Sequence, residues 1–254
     1  MRLDRRALLA AGLSAPGLAI PDLVGAQAAA PLQWPPEEAR LRTDWPFLQR
    51  YAAENAVDRD LPAERRRVVF IGDSITQGWR DVHPAFFTDN GFLGRGIGGQ
   101  VTAQMLVRFW PDVVALKPAA VHILAGVNDI AQNAGPYDLA ATQANLRAMT
   151  ALAQASGIAV ILGTILPVAE FPWRPGLGPT AKVRTLNAWL TAYAAEHGAV
   201  LADYTPVLDD GTGGMKPGLA YDGVHPTREG YAVMEPVALA AVASALAERD
   251  PKAA

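Results

Sequence analysis

The chain has 254 residues, of which half are hydrophobic and 19% are charged, enough apolar material for a single sizeable core. A formal charge of −3 gives no electrostatic footprint for nucleic acid or an anionic surface, and no uninterrupted apolar run reaches the length of a membrane-spanning helix. The absence of cysteine excludes disulfides, thiolate metal sites and lipid-modified cysteine.

Residues 1–28 read as a cleavable secretory signal rather than as fold. A basic start is followed by a mildly apolar stretch from Ala7 to Ile20 and a small-residue cleavage site at Ala26-Gln27-Ala28. Arg5-Arg6 ahead of Ala7-Leu8-Leu9 resembles a twin-arginine signal, which implies a periplasmic or secreted product. Residues 29–65 form a polar and aromatic lead-in that packs on the domain, with a short helix predicted over Trp45 to Asn55 and with Trp34 and Trp45 tucked inward.

Residues 66–250 alternate apolar runs with helical patterns. Strands are predicted at Val68–Ile71, Ala120–Leu124, Ala159–Ile165 and Val200–Ala202, and helices at Thr102–Trp110, Tyr137–Ala155, Ala181–His197 and Arg228–Ala247. The strand runs are nearly continuous, as in a parallel sheet buried on both faces, so the fold class is α/β, a three-layer α/β/α sandwich. Ligands in such a sheet bind beyond the C-terminal ends of the strands.

The loops placed there are Gly72-Asp73-Ser74, "GRGIGGQ" at 94–100, Gly126-Val127-Asn128-Asp129 and "YDGVHPT" at 221–227. Ser74 reads in two ways: with Gln77 it makes an S-x-x-Q capping box, and with a base it makes a nucleophile. His225 is the candidate base, and Asp222, three residues earlier, is the acceptor that orients it. The N–H groups of Ser74 and Gly99 and the Asn128 amide are candidate donors to an oxyanion. Each loop also has a plain structural reading as a turn or a helix start.

The four blocks together resemble those of the SGNH, or GDSL-type, hydrolase superfamily, in the branch of platelet-activating-factor acetylhydrolase-like and carbohydrate acetylesterase-like enzymes. "IGDSIT" matches the first block, "GRGIGGQVT" the second, "GVNDI" the third and "DGVHP" the last, over roughly residues 66–247. The resemblance implies a flavodoxin-like, mostly parallel sheet and a carboxylic ester hydrolase. It implies catalytic Ser74, Asp222 and His225, an oxyanion hole of Ser74, Gly99 and Asn128, and no cofactor or metal. The sequence departs from the family at Gln100, where many relatives carry an acid that helps hold the loop. The GxSxG elbow of the other large α/β hydrolase group is absent.

The implied reaction is hydrolysis of short acyl esters, O-acetyl carbohydrate esters first among them. Lysophospholipase, arylesterase, thioesterase and acyltransferase activities, or a non-catalytic carbohydrate-binding protein on a hydrolase scaffold, are the alternatives. Trp173 and Arg174 in "PVAEFPWRPGLGPTAK", with Trp79 and Tyr137, are the candidate substrate-side residues. His122 inside "AAVHILAG" reads as a core residue and His197 as a helix end, while His83 is a further substrate-side candidate.

Overall fold

A computed structural model describes residues 41–249, so the predicted signal over 1–28 and Trp34 lie outside the described residues. Five parallel strands, β1 (Val68–Gly72), β2 (Phe92–Gly96), β3 (Ala120–Leu124), β4 (Ala159–Gly163) and β5 (Val200–Ala202), form one sheet in the order β2-β1-β3-β4-β5. Every residue of β1 and β3 is buried, as their unbroken apolar runs demand of central parallel strands.

Nine α-helices lie whole within the described residues, beside the helical residues 41–43. They are α1 (Ala52–Asp58), α2 (Ser74–Val82), α3 (Pro84–Asn90), α4 (Thr102–Asp112), α5 (Val127–Ile130), α6 (Leu139–Ala155), α7 (Pro179–Glu196), α8 (Thr205–Leu208) and α9 (Arg228–Arg249). On one face Tyr231 of α9 stacks on Trp79 of α2 at 5.7 Å and donates its hydroxyl to the Ile75 carbonyl at 2.8 Å. On the other, α4 packs on α6, and Arg147 of α6 lies 5.3 Å over the Trp189 ring of α7. Two helical layers therefore enclose the sheet, the α/β/α sandwich expected.

β2 was not among the predicted strands, because "FLGRG" reads as a glycine loop. Its glycines serve packing: a Cβ on Gly96 would stand 2.1 Å from the Gln77 amide nitrogen, so only glycine lets α2 lie this close to the strand. The lead-in helix also differs, running over Ala52–Asp58 rather than from Trp45, and Trp45 is exposed rather than tucked inward. Asp44 accepts from the Leu48 and Gln49 N–H groups at 2.7 and 3.0 Å, and this side-chain turn competes with helix before Tyr51. β4 ends at Gly163, not Ile165, since Ile165 N–H bonds the Asn187 side chain instead of a strand.

α9 is long and apolar enough, by length and composition, to cross a membrane, which its scattered Glu229, Glu235 and Pro236 hide from a search for continuous runs. It packs on β3, β4 and β5, with Tyr231, Met234, Ala238, Ala241, Val242 and Ala245 buried.

β1 lies between β2 and β3, so the order of strands reverses there and a crevice opens beyond their C-terminal ends. β1 delivers Asp73 and Ser74 to that crevice, and β3 delivers Gly126 to Asn128.

Candidate active site

Ser74 does not cap α2. Asp73 is the N-cap, accepting the Ile75 N–H at 2.9 Å, and Ser74 is the first helical residue. Gln77, the other half of the expected capping box, accepts from Gly98 N–H at 2.9 Å and so ties α2 to the glycine loop. The serine hydroxyl is left for another partner, and Ser74 Oγ lies 2.8 Å from His225 Nε2.

His225 is held from behind. Its Nδ1 is 2.7 Å from Asp222 Oδ2, while Asp222 Oδ1 accepts the backbone N–H of Val224 at 3.0 Å and of His225 at 2.8 Å. Burial acts to raise the Asp222 carboxyl, but hydrogen bonds from the His225 backbone and ring and from Val224 outweigh it and hold the pKa below the usual carboxylate value. The turn at 222–225 thus presents an ionised acceptor to one imidazole nitrogen and leaves the other facing the serine.

The three groups expected as oxyanion donors lie on the segments that follow β1, β2 and β3. Gly99 has φ +75, a left-handed conformation that glycine adopts without strain, and a Cβ there would meet nothing within 4 Å. The Asn128 amide donates from Nδ2 to the Gln100 carbonyl at 3.1 Å and accepts at Oδ1 from Asn133 Nδ2 at 2.6 Å. Ser74 sits in the first turn of α2, where backbone N–H groups lack intrahelical acceptors.

A buried polar frame fixes these loops relative to one another. Arg108, fully buried, donates to the Gly72 carbonyl at 2.8 Å, the Arg95 carbonyl at 2.8 Å and Gln100 Oε1 at 2.5 Å, and pairs with Asp112 at 3.0 Å. One guanidinium therefore spans the end of β1 and the glycine loop. Gln100, the departure from the family pattern, still anchors that loop: its Nε2 donates to the Pro46 carbonyl at 2.8 Å, which a carboxylate could not do. Asp129 accepts from the Thr102 N–H at 2.9 Å and hydroxyl at 2.6 Å, and burial pushes its pKa up. Burial likewise pushes the Asp73 carboxyl, adjacent to Ser74, up to about 7.

Of the substrate-side candidates, Trp79 is corrected. It is fully buried, stacked between Phe86 at 5.2 Å and Tyr231 at 5.7 Å, because its helix face turns to the sheet and not to the crevice. Trp173 is 43% exposed, with its ring 5.8 Å from that of His225, and Arg174 beside it donates to the Gln132 carbonyl. Phe171 is buried beneath Trp173. The Tyr137 hydroxyl is buried without a partner among the described residues, with a pKa pushed up to about 12 by burial.

His122 lies in the core, 2.7 Å from the Tyr204 hydroxyl, and burial lowers its pKa to about 3. His83 faces Glu235 and not the crevice, and His197 stacks on Tyr193 at the end of α7. Two residues escaped the sequence reading: Tyr221, stacked on His225 at 5.5 Å, and Asn133. Tyr221 directly precedes Asp222, but adjacency alone does not reveal that its ring covers the imidazole.

The model of the GDSL-like lipase/acylhydrolase family matches residues 70–233. Esterase TesA of Pseudomonas aeruginosa is 29% identical over 177 residues, covering 65% of this chain and 81% of its own. A crystal structure of a GDSL-like lipase from Bacteroides thetaiotaomicron is 43% identical, covers 80% of this chain and 100% of its own, and superposes with a TM-score of 0.76. An acetylxylan esterase from Geobacillus stearothermophilus, at 21% identity over 69% of this chain and 93% of its own, shares the fold with a TM-score of 0.55. The match of the family model over residues 70–233, with a crystal structure 43% identical on the same fold, places the chain in the GDSL-like lipase/acylhydrolase family, as a carboxylic ester hydrolase.

Proposed function

We propose that this chain is an exported serine esterase that removes short acyl groups, acetyl foremost, from carbohydrate esters. The observation that carries the mechanism is the continuous relay from Ser74 Oγ to His225 Nε2 at 2.8 Å and from His225 Nδ1 to Asp222 at 2.7 Å. His225 takes the hydroxyl proton as Oγ attacks the ester carbonyl. The N–H groups of Ser74 and Gly99 and the Asn128 amide receive the oxyanion. His225 then gives its proton to the departing alcohol, and water repeats the sequence on the acyl-Ser74 intermediate.

The surface beside His225 supports a sugar as the alcohol. Trp173 and Tyr221 flank the imidazole that protonates the alcohol, and exposed aromatic faces suit the C–H face of a sugar ring. Export is supported by the signal-like layout of residues 1–28.

Acetate release across acetylated xylan, acetylated monosaccharides, lysophospholipids and longer p-nitrophenyl esters tests the substrate, with the sugar acetates expected to be preferred. Ser74→Ala is expected to abolish both hydrolysis and labelling by a fluorophosphonate while keeping the wild-type Tm. Turnover by that variant would remove the nucleophile assignment. Fractionation of expressing cells is expected to place a product starting at Ala29 in the periplasm or medium.

A further inference from the structure

A cavity lies beyond the glycine loop from Ser74. It measures about 560 Å³, within the range of small-molecule sites. Leu41, Trp45 and Phe47 of the lead-in wall one side, and Ile97, Gly98 and Gly99 the other. We propose that this cavity is a second glycosyl subsite, holding the sugar next to the ester-bearing one, so that the enzyme acts on oligosaccharide esters. The inference rests on the esterase reading for the identity of the neighbouring subsite.

Continuity with the reacting serine comes first. Gly98, which lines the cavity, lies beside Ser74: a methyl group on it would stand 3.7 Å from Ser74 Cβ. Asn133 lines the cavity and lies 3.4 Å from Trp173 Nε1, which joins the space to the aromatic rim around His225. A chain of sugars can therefore run from Trp173, across Ser74, towards Trp45.

The lead-in wall is also built. Gln104, in the first turn of α4, donates to the Trp45 carbonyl at 2.9 Å, and Gln100, in the loop before it, to the Pro46 carbonyl at 2.8 Å, both from buried side chains. Phe47 has φ +60, a conformation that a bulky residue keeps only where its surroundings enforce it. Gln100 thus has two tasks: its side chain clamps the wall, and its carbonyl receives the Asn128 amide.

The occupant follows from the chemistry of the two walls. One presents an indole, 38% exposed, with aliphatic and phenyl surface, and the other presents peptide groups of a glycine loop. A pyranose has a C–H face for the first and a rim of hydroxyls for the second. A fatty chain would leave the polar groups of the peptide wall without hydrogen-bond partners.

Binding to the Ser74→Ala chain, measured by calorimetry with an O-acetylated xylotriose and with O-acetyl xylose, tests this without turnover. The trisaccharide ester is expected to bind about tenfold more tightly, and Trp45→Ala on the same background is expected to erase that difference. Should the Trp45 variant fail to fold, Gln104→Leu, which releases the wall, is expected to give the same loss. Equal affinity for both lengths, or a length preference that survives these changes, overturns the subsite. Tighter binding of lysophosphatidylcholine than of either sugar ester overturns the carbohydrate assignment. Fluorophosphonate labelling of the wild-type chain at Ser74 reports separately on the esterase reading, because the binding comparison does not depend on it.

Discussion

Asn133 donates from Nδ2 to Asn128 Oδ1 at 2.6 Å, and this bond decides which edge of the Asn128 amide faces the glycine loop. With Oδ1 engaged, Nδ2 points to the Gln100 carbonyl, and its second N–H is the donor proposed for an oxyanion. Removing the amide itself, in Asn128→Ala, is expected to lower kcat by about 10²–10³-fold. Asn133→Ala leaves the donor in place but loosens it, and a loss of about tenfold is expected in kcat/KM for p-nitrophenyl acetate. Equal losses in the two variants would show that orientation by Asn133 is not a separate contribution.

The two tryptophans first grouped as substrate-side residues are expected to behave oppositely. Trp79→Ala opens a hole between Phe86 and Tyr231, and urea denaturation is expected to show a loss of about 3–5 kcal/mol. Trp173→Ala removes a half-exposed ring beside His225. Its stability is expected to stay within about 0.5 kcal/mol of wild type, while kcat/KM for a sugar acetate falls.

Arg108 joins the end of β1 to Gln100 through a guanidinium wholly removed from water. Arg108→Met strands the Asp112 carboxylate and the Gly72 and Arg95 carbonyls, and an equilibrium loss of about 3–5 kcal/mol is expected. Adding Asp112→Asn to the same chain is expected to recover part of it, which urea midpoints at constant m would show.

Two buried groups give stability opposite dependences on pH. Asp73, raised from 3.8 to about 7, keeps in the fold a proton that the unfolded chain releases, so stability falls as pH rises through that window. His122, lowered from 6.5 to about 3, refuses a proton that the unfolded chain takes up, so stability rises with pH across most of the same range. Asp73→Asn removes the first dependence and leaves the second. Its unfolding free energy is expected to climb between pH 4 and pH 6.5, and by pH 8 its advantage over wild type reaches on the order of a few kcal/mol. A variant whose stability runs parallel to wild type over this range would show that Asp73 is ionised in the fold throughout.

The apolar runs of β1 and β3, the amphipathic pattern of α6 and α7 and the order of the four polar loops were legible from residue types, because burial on two faces and helical periodicity leave local marks. Those marks suffice for the sandwich and for the family resemblance. What they do not carry is direction. "FLGRG" is a strand because α2 presses on it, Trp79 is core because its face of α2 turns to the sheet, and Gln77 bonds Gly98 rather than capping its own helix. Tyr221 over His225, the Asn133–Asn128 bond and the clamp of Gln100 on Pro46 join residues that local patterns treat as independent. Contacts of that kind depend on how separate elements are set against each other in space. Only the packed tertiary structure decides them, since the same side chains in the same order could close a different set of bonds on another arrangement of helices.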